Sequence, residues 1–209
     1  MSDTIAALAT GAQISAIGIL RLSGPESIAI ADRLFAPDDG APMSAHESKT
    51  LVYGALRDTD GALLDLCLCT HSRAPRSYTG EDTVEFQCHG SPVVLREALE
   101  SCFALGARQA GPGEFTKRAF LNGCMDLTAA EAVADLIDAE SAESARNAAG
   151  QLSGAISARI DAVYRSLEDI SAHYHAVLDY PDEDIEDFRL AQYAGLLRSE
   201  EHTSELQSR

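Results

Sequence analysis

Glu85, Gln87 and His89 are the side chains best spaced for chemistry. They alternate with Val84, Phe86 and Cys88, so they share one face of a strand whose other face is apolar. A carboxylate fixed there suits a ligand that presents adjacent N–H donors, such as the aminopyrimidine edge of a pterin or a guanine, through paired charge-assisted bonds. The same alternation also describes a plain solvent-facing edge. Arg21 is the single charge in the apolar run Ala16–Leu22. It is placed either to hold an anionic group or to snorkel from an edge strand.

Other candidate groups carry less. The five cysteines, Cys67, Cys69, Cys88, Cys102 and Cys124, show no C-x-x-C spacing, which argues against a disulfide framework or a zinc knuckle. Cys67 and Cys69 share one face of a strand and read as core. His173 and His175 lie about 200° apart around a helix and cannot share a metal. The acidic stretch from Asp179 to Asp187 lacks the glycine and spacing of an EF-hand loop, and reads as a solvated helix end or linker with Pro181 as the stop. No Gly-x-x-x-x-Gly-Lys-Ser/Thr occurs, so the chain has no phosphate-binding loop. No Ser-His-Asp or Cys-His arrangement is legible either.

These residues need elements to position them. Ala16–Leu22 reads as a buried strand, and Ser23-Gly-Pro-Glu26 starts a helix carrying Ile28, Ile30, Leu34 and Phe35. The segment 36–48 reads as loop. Thr50–Arg57 and Ala62–Thr70 are expected strands joined by a hairpin at Asp58–Gly61. A loop follows from His71 to Gly80, then the strand Thr83–His89, then a helix from Pro92 closed by Gly106. Phe115, Ala119 and Phe120 give a short helix an apolar side beside Lys117 and Arg118, and Gly123 stands where that helix should end. Thr128 and Glu131 have capping-box spacing at the head of a longer helical pattern that runs to Ala149. Gly150 and Gly154 mark a turn or kink. Beyond them Ile156, Ile160, Val163, Leu167, Ile170, Tyr174 and Val177 form a heptad seam that needs facing helices.

The expected fold is therefore an α+β domain of mixed sheet and helices over residues 1–120, followed by an all-α partial bundle over 121–197. Residues 198–209 resemble the translation of a common DNA sequencing adaptor. We expect this tail not to be native, and the natural protein to continue past Leu197. The net charge of −17 opposes phosphate binding except through a local basic patch or a partner. No apolar run reaches the roughly 20 residues that span a bilayer, no secretory signal opens the chain, and the expected location is the cytoplasm.

With these residues in hand, the chain resembles the N-terminal part of the MnmE (TrmE) family of bacterial tRNA modification GTPases. The matching segments are Asp3-Thr-Ile5, Gly18-Ile-Leu-Arg-Leu-Ser-Gly24, Tyr78-Thr-Gly-Glu-Asp-Thr-Val-Glu-Phe-Gln-Cys-His-Gly90, Pro112-Gly-Glu-Phe-Thr-Lys-Arg-Ala-Phe-Leu-Asn122, Asp126-Leu-Thr-Ala-Ala-Glu-Ala-Val-Ala-Asp-Leu-Ile-Asp138 and Tyr180-Pro-Asp-Glu183. They keep the family order. The resemblance implies a folate-binding, homodimer-forming first domain of aminomethyltransferase-like fold, then a helical domain into which the family inserts a GTPase domain needing GTP, Mg²⁺ and K⁺. It implies modification of C5 of the wobble uridine in certain tRNAs, with the FAD-containing partner MnmG and a one-carbon unit from a tetrahydrofolate derivative (5-formyl- or 5,10-methylene-). Arg21 and Glu85 match family folate-site positions. At a third such position the family pattern has a basic residue and this chain has Cys124, which removes a positive charge from the site.

Two other readings stay open. One is a stand-alone folate-dependent aminomethyltransferase-like enzyme, and the other a non-catalytic dimerisation module. The segment itself is expected to bind folate and dimerise, with no catalytic residue of its own for GTP hydrolysis.

Overall fold

The computed structural model describes residues 3–11 and 13–180, with Ala155 and Ile156 described by their backbone alone. The acidic segment beyond Tyr180 and the tail 198–209 lie outside the described residues. The chain divides into two compact units, Met1–Ala130 and Glu131–Arg209.

The first unit is built on a seven-stranded sheet. Its strands are β1 (Ile5–Leu8), β2 (Ser15–Ser23), β3 (Phe35–Pro37), β4 (Val52–Arg57), β5 (Leu63–Ser72), β6 (Thr83–Gly90) and β7 (Arg108–Gln109), in the order β3-β4-β5-β6-β2-β1-β7. Every pairing is antiparallel except β1 with β7. The strands β2 and β6 that hold Arg21 and Glu85 are central, so neither residue stands at a sheet edge. Helices α1 (Ser27–Leu34) and α2 (Pro92–Ala104) pack on one face of the sheet. Leu20, Leu22, Cys67, Cys69, Val84, Phe86 and Cys88 point into the core they cover, with Leu34 and Leu95 from the helices. The alternation expected along β6 holds: Val84, Phe86 and Cys88 are buried, while Glu85 and Gln87 are half-buried and His89 is exposed.

Two packing details explain sequence choices. Gly54 on β4 runs so close to β3 that an added Cβ would lie 2.4 Å from the Ala36 carbonyl oxygen, so no side chain fits there. The hairpin between β4 and β5 turns at Asp58, whose Oδ1 accepts from the amides of Asp60 and Ala62 at 2.9 and 2.8 Å.

Several elements differ from expectation. Phe35 starts β3 rather than ending the helix, because it pairs with Leu56 and packs beside Phe86. The expected loop 36–48 contains the rest of that strand and a short 3-10 turn, Met43–Ala45. Strand β5 continues to Ser72, and β1 and β7 carry no alternation long enough to announce them.

Helix α3 (Glu114–Leu121) ends as expected. Gly123 takes φ 73°, and the amides of Gly123 and Cys124 donate to the carbonyls of Phe120 and Ala119 at 3.0 and 2.8 Å. This paired closure is a Schellman motif. Helix α4 (Leu127–Ile137) is capped by Asp126, whose Oδ1 accepts from the Ala129 amide at 2.7 Å. Thr128 therefore lies inside the first turn, and Asp126 caps because its carboxylate reaches the N3 amide.

The helical pattern to Ala149 is divided in two. Ser141 opens α5 (Ala142–Leu152) with a capping box to Ser144. Gly154 then turns the chain into the 25-residue α6 (Ala155–Asp179), and α5 packs against α6. Along α6 the seam residues Ile160, Leu167 and Tyr174 are exposed, and Val163, Ile170 and Val177 are half-buried. The helix stops two residues before Pro181, where proline disfavours helical backbone in its predecessor.

Candidate functional site

Arg21 and Glu85 are direct partners across β2 and β6. Arg21 Nε donates to Glu85 Oε1 at 2.7 Å, with both side chains 28% exposed. Thr70 on β5 flanks Glu85 and Ala7 on β1 flanks Arg21, so one row crosses four strands on the face opposite the helices. Gln87, with Leu68 and Ile19, forms the next row. That face is apolar around the pair: Tyr53, Leu66 and Ile17 are exposed there.

Two aromatic rings cover the arginine, of which the sequence offered Phe115 only as part of a helix's apolar side. The guanidinium of Arg21 lies 5.2 Å from the Tyr78 ring centroid and 5.7 Å from that of Phe115, a cation–π arrangement. Tyr78 Oη and Thr116 Oγ1, 3.0 Å apart, tie the loop before β6 to α3. No sequence signal would have found these rings, because the contact depends on how a loop and a distant helix meet over β2.

Arg118 makes that meeting possible. It is 10% exposed, and its guanidinium reaches Asp3 Oδ1 at 2.7 Å, Glu81 Oε2 at 2.9 Å and Glu114 Oε1 at 3.1 Å. It also donates to the Asp3 carbonyl at 2.7 Å. Burial works against its charge, but the carboxylates of Glu81, Asp3 and Glu114 outweigh this and raise its pKa. Glu114 also pairs with Arg108 at 2.6 Å and accepts from the Gly111 amide at 2.8 Å. The Arg108 bond, with help from Gly111 and Arg118, offsets burial and lowers the Glu114 carboxyl to about 2. Arg108 closes the network by binding Asp3 as well. The pair Lys117–Arg118 thus divides, Lys117 facing solvent and Arg118 neutralised inside the fold.

Cys124 is exposed and lies behind the same loop. Its Sγ stands 2.9 Å from where a Cβ on Gly80 would be, and Asn122 Nδ2 donates to the Thr79 carbonyl at 2.7 Å. Arg21 and Glu85 are therefore brought into contact, while Cys124 packs against Gly80 in the turn that carries Tyr78. Elsewhere in the unit, Lys49, Arg73 and Arg76 line a cavity of about 330 Å³ with Ser48, Ala74 and Pro75. This is a local basic patch of the kind an acidic chain needs to approach phosphate.

Comparison with known proteins places both units. Residues 4–124 match the family model described as GTP-binding protein TrmE N-terminus, and residues 127–208 match that of the MnmE helical domain. The chain is similar to tRNA modification GTPase MnmE of Symbiobacterium thermophilum, 44% identical over 88% of this chain and 40% of that protein. It is 45% identical to the protein of the same name from Xanthomonas campestris pv. campestris, over 92% of this chain and 42% of the relative. For Thiobacillus denitrificans the figures are 45%, 94% and 43%. The chain spans about two-fifths of the length of these relatives.

Proposed function

The chain belongs to the MnmE (TrmE) family of tRNA modification GTPases, and on that premise we propose that its first unit is a folate-binding, dimerising module of a tRNA-modifying enzyme. The observation that carries this reading is the Arg21–Glu85 pair beneath Tyr78 and Phe115 on the uncovered face of the sheet.

The residues fit a reduced folate at its pterin end. The pair uses only Glu85 Oε1 and Arg21 Nε, which leaves Glu85 Oε2 to accept from neighbouring pterin N–H groups. The two rings offer flat apolar surface beside it. Tetrahydrofolate supplies the one-carbon unit when bound; the protein's part is to hold the ring in one orientation and shield it from water. At the third family position Cys124 offers no charge. The exposed residues Ile17, Tyr53 and Leu66 support homodimerisation through this face. The remaining functions, GTP hydrolysis with Mg²⁺ and K⁺, action with the FAD-containing MnmG protein, tRNA contact through the partner or other regions, and a cytoplasmic location, are proposed for the whole protein on family grounds.

Calorimetric titration with 5-formyltetrahydrofolate tests the module. Glu85→Ala is expected to weaken binding by about 10- to 100-fold, the worth of a charge-assisted bond. Absence of binding at millimolar ligand, in a sample shown to be folded, overturns the pocket. That result supports the second reading, a non-catalytic dimerisation module. The satisfied Arg21–Glu85 ion pair favours that reading as a structural strut.

A further inference from the structure

On the opposite, helix-covered face of the sheet lies a second group of chemically capable side chains. Cys67 on β5 and Cys88 on β6 are both buried, and the Cys88 thiol is donated to Cys67 Sγ at 4.0 Å. Asp65, two residues before Cys67, brings a carboxylate oxygen to the same place, and the three ligand atoms lie within 4.8 Å of one another. We propose that Asp65, Cys67 and Cys88 form a binding site for a thiophilic divalent cation of the zinc class.

The distances suit such an ion. With zinc–sulfur bonds of about 2.3 Å, sulfurs 4.0 Å apart subtend roughly 120° at the metal, close to tetrahedral. The carboxylate is held in place beforehand. Its Oδ1 accepts from the Leu66 amide and faces His89 Nδ1, each at 2.8 Å, and its Oδ2 accepts from the His89 amide at 2.8 Å. Counting lone pairs, Oδ1 is filled and Oδ2 keeps one for a metal. His89 behind the carboxylate supplies the outer contact that orients metal ligands.

Three protein ligands leave a fourth position for water. The side chain of Asp65 is 10% exposed and that of His89 76% exposed, so the route to solvent runs past this pair. Two thiolates and a carboxylate also select a thiophilic cation over Mg²⁺ or Ca²⁺. Each thiol gives up its proton to solvent as its sulfur binds, two protons per ion, with no change of oxidation state. Without a cation, the Cys88 hydrogen bond and burial hold the Cys67 thiol well above its ordinary pKa, and the nearby Asp65 charge adds to this. Bound metal reverses that balance.

Titration of the reduced full chain with Co²⁺ tests the site. One equivalent should produce a sulfur-to-cobalt charge-transfer band and the ligand-field bands of a four-coordinate ion. Cys67→Ser and Cys88→Ser should each lower the charge-transfer intensity and the double variant should abolish it, Asp65→Asn should weaken binding, and Cys124→Ser should leave it intact. Zn²⁺ should also raise the unfolding midpoint of the unsubstituted chain, reversibly on chelation. That readout holds even if a cysteine variant fails to fold. No charge-transfer band in the folded chain overturns the proposal, as does a band that persists in the double serine variant. Isolation of the chain with Cys67 and Cys88 already joined as a disulfide overturns it too.

Discussion

On the proposed function, Cys124 bears on the strength of the folate site without entering its centre. It follows Gly123 in the closure of α3 and rests against Gly80. Because Cys124 is exposed, a longer cation fits there. Cys124→Arg is expected to tighten folate binding about tenfold, as read by calorimetry. His71 poses a different problem. It is buried on the core side of β5, and neither ring nitrogen has a hydrogen-bond partner among the described residues. Burial lowers its pKa, and the nearby Arg73 adds to the effect. The folded state therefore binds this proton less readily than the unfolded chain does. Stability should fall as pH drops below the ordinary histidine value of 6.5 towards the lower folded value. His71→Phe should remove that part of the dependence in urea unfolding measured across this range. Glu85 was legible because alternation along a strand survives in sequence, and Arg21 because it is the single charge in an apolar run. Tyr78 and Phe115 were not, since no periodicity links a loop to a helix that meets it over β2.

Among elements, α3 is held by its charges as well as by the buried Ala119. Removing Arg118 would take its guanidinium from the largely buried Glu81 carboxylate and leave Asp3 and Glu114 to Arg108 alone. Arg118→Ala should cost about 3 kcal/mol or more, seen as a lower denaturant midpoint. Glu114 gives the same network a pH signature. Its folded pKa near 2 lies below the ordinary 4.5, so its contribution is complete above pH 4.5 and lost as pH falls towards 2. Glu114→Gln should flatten acid unfolding in that interval. Most strands and helices were readable from period and punctuation. The exceptions are instructive: β1, β3 and β7 are four, three and two residues long, too short for a period to form. They exist because neighbouring strands offer unpaired backbone. The break between α4 and α5 was hidden because alanine-rich sequence supports helix on both sides, and only the Ser141–Ser144 box marks it.

For the whole molecule, the two units carry different parts of one family. The sequence has no phosphate-binding loop, so this chain should release no phosphate from GTP above the buffer rate in a coupled assay. Steady hydrolysis by a homogeneous sample would refute the domain reading. The seam of α6 was legible as a heptad pattern, and its exposed Ile160, Leu167 and Tyr174 say why: a stripe is written for a partner, whether or not that partner lies in this chain. The Arg118–Asp3 clasp reaches further than the site it borders. It joins residues 115 positions apart, and β7 pairs with β1 across a similar span. On a ribosome, then, the first strand emerges long before its parallel neighbour exists. Loop closure of that length is slow, so the first unit should lock only when translation has passed Arg118, and a nascent chain stalled earlier would expose β1 as an open edge for chaperones to cover.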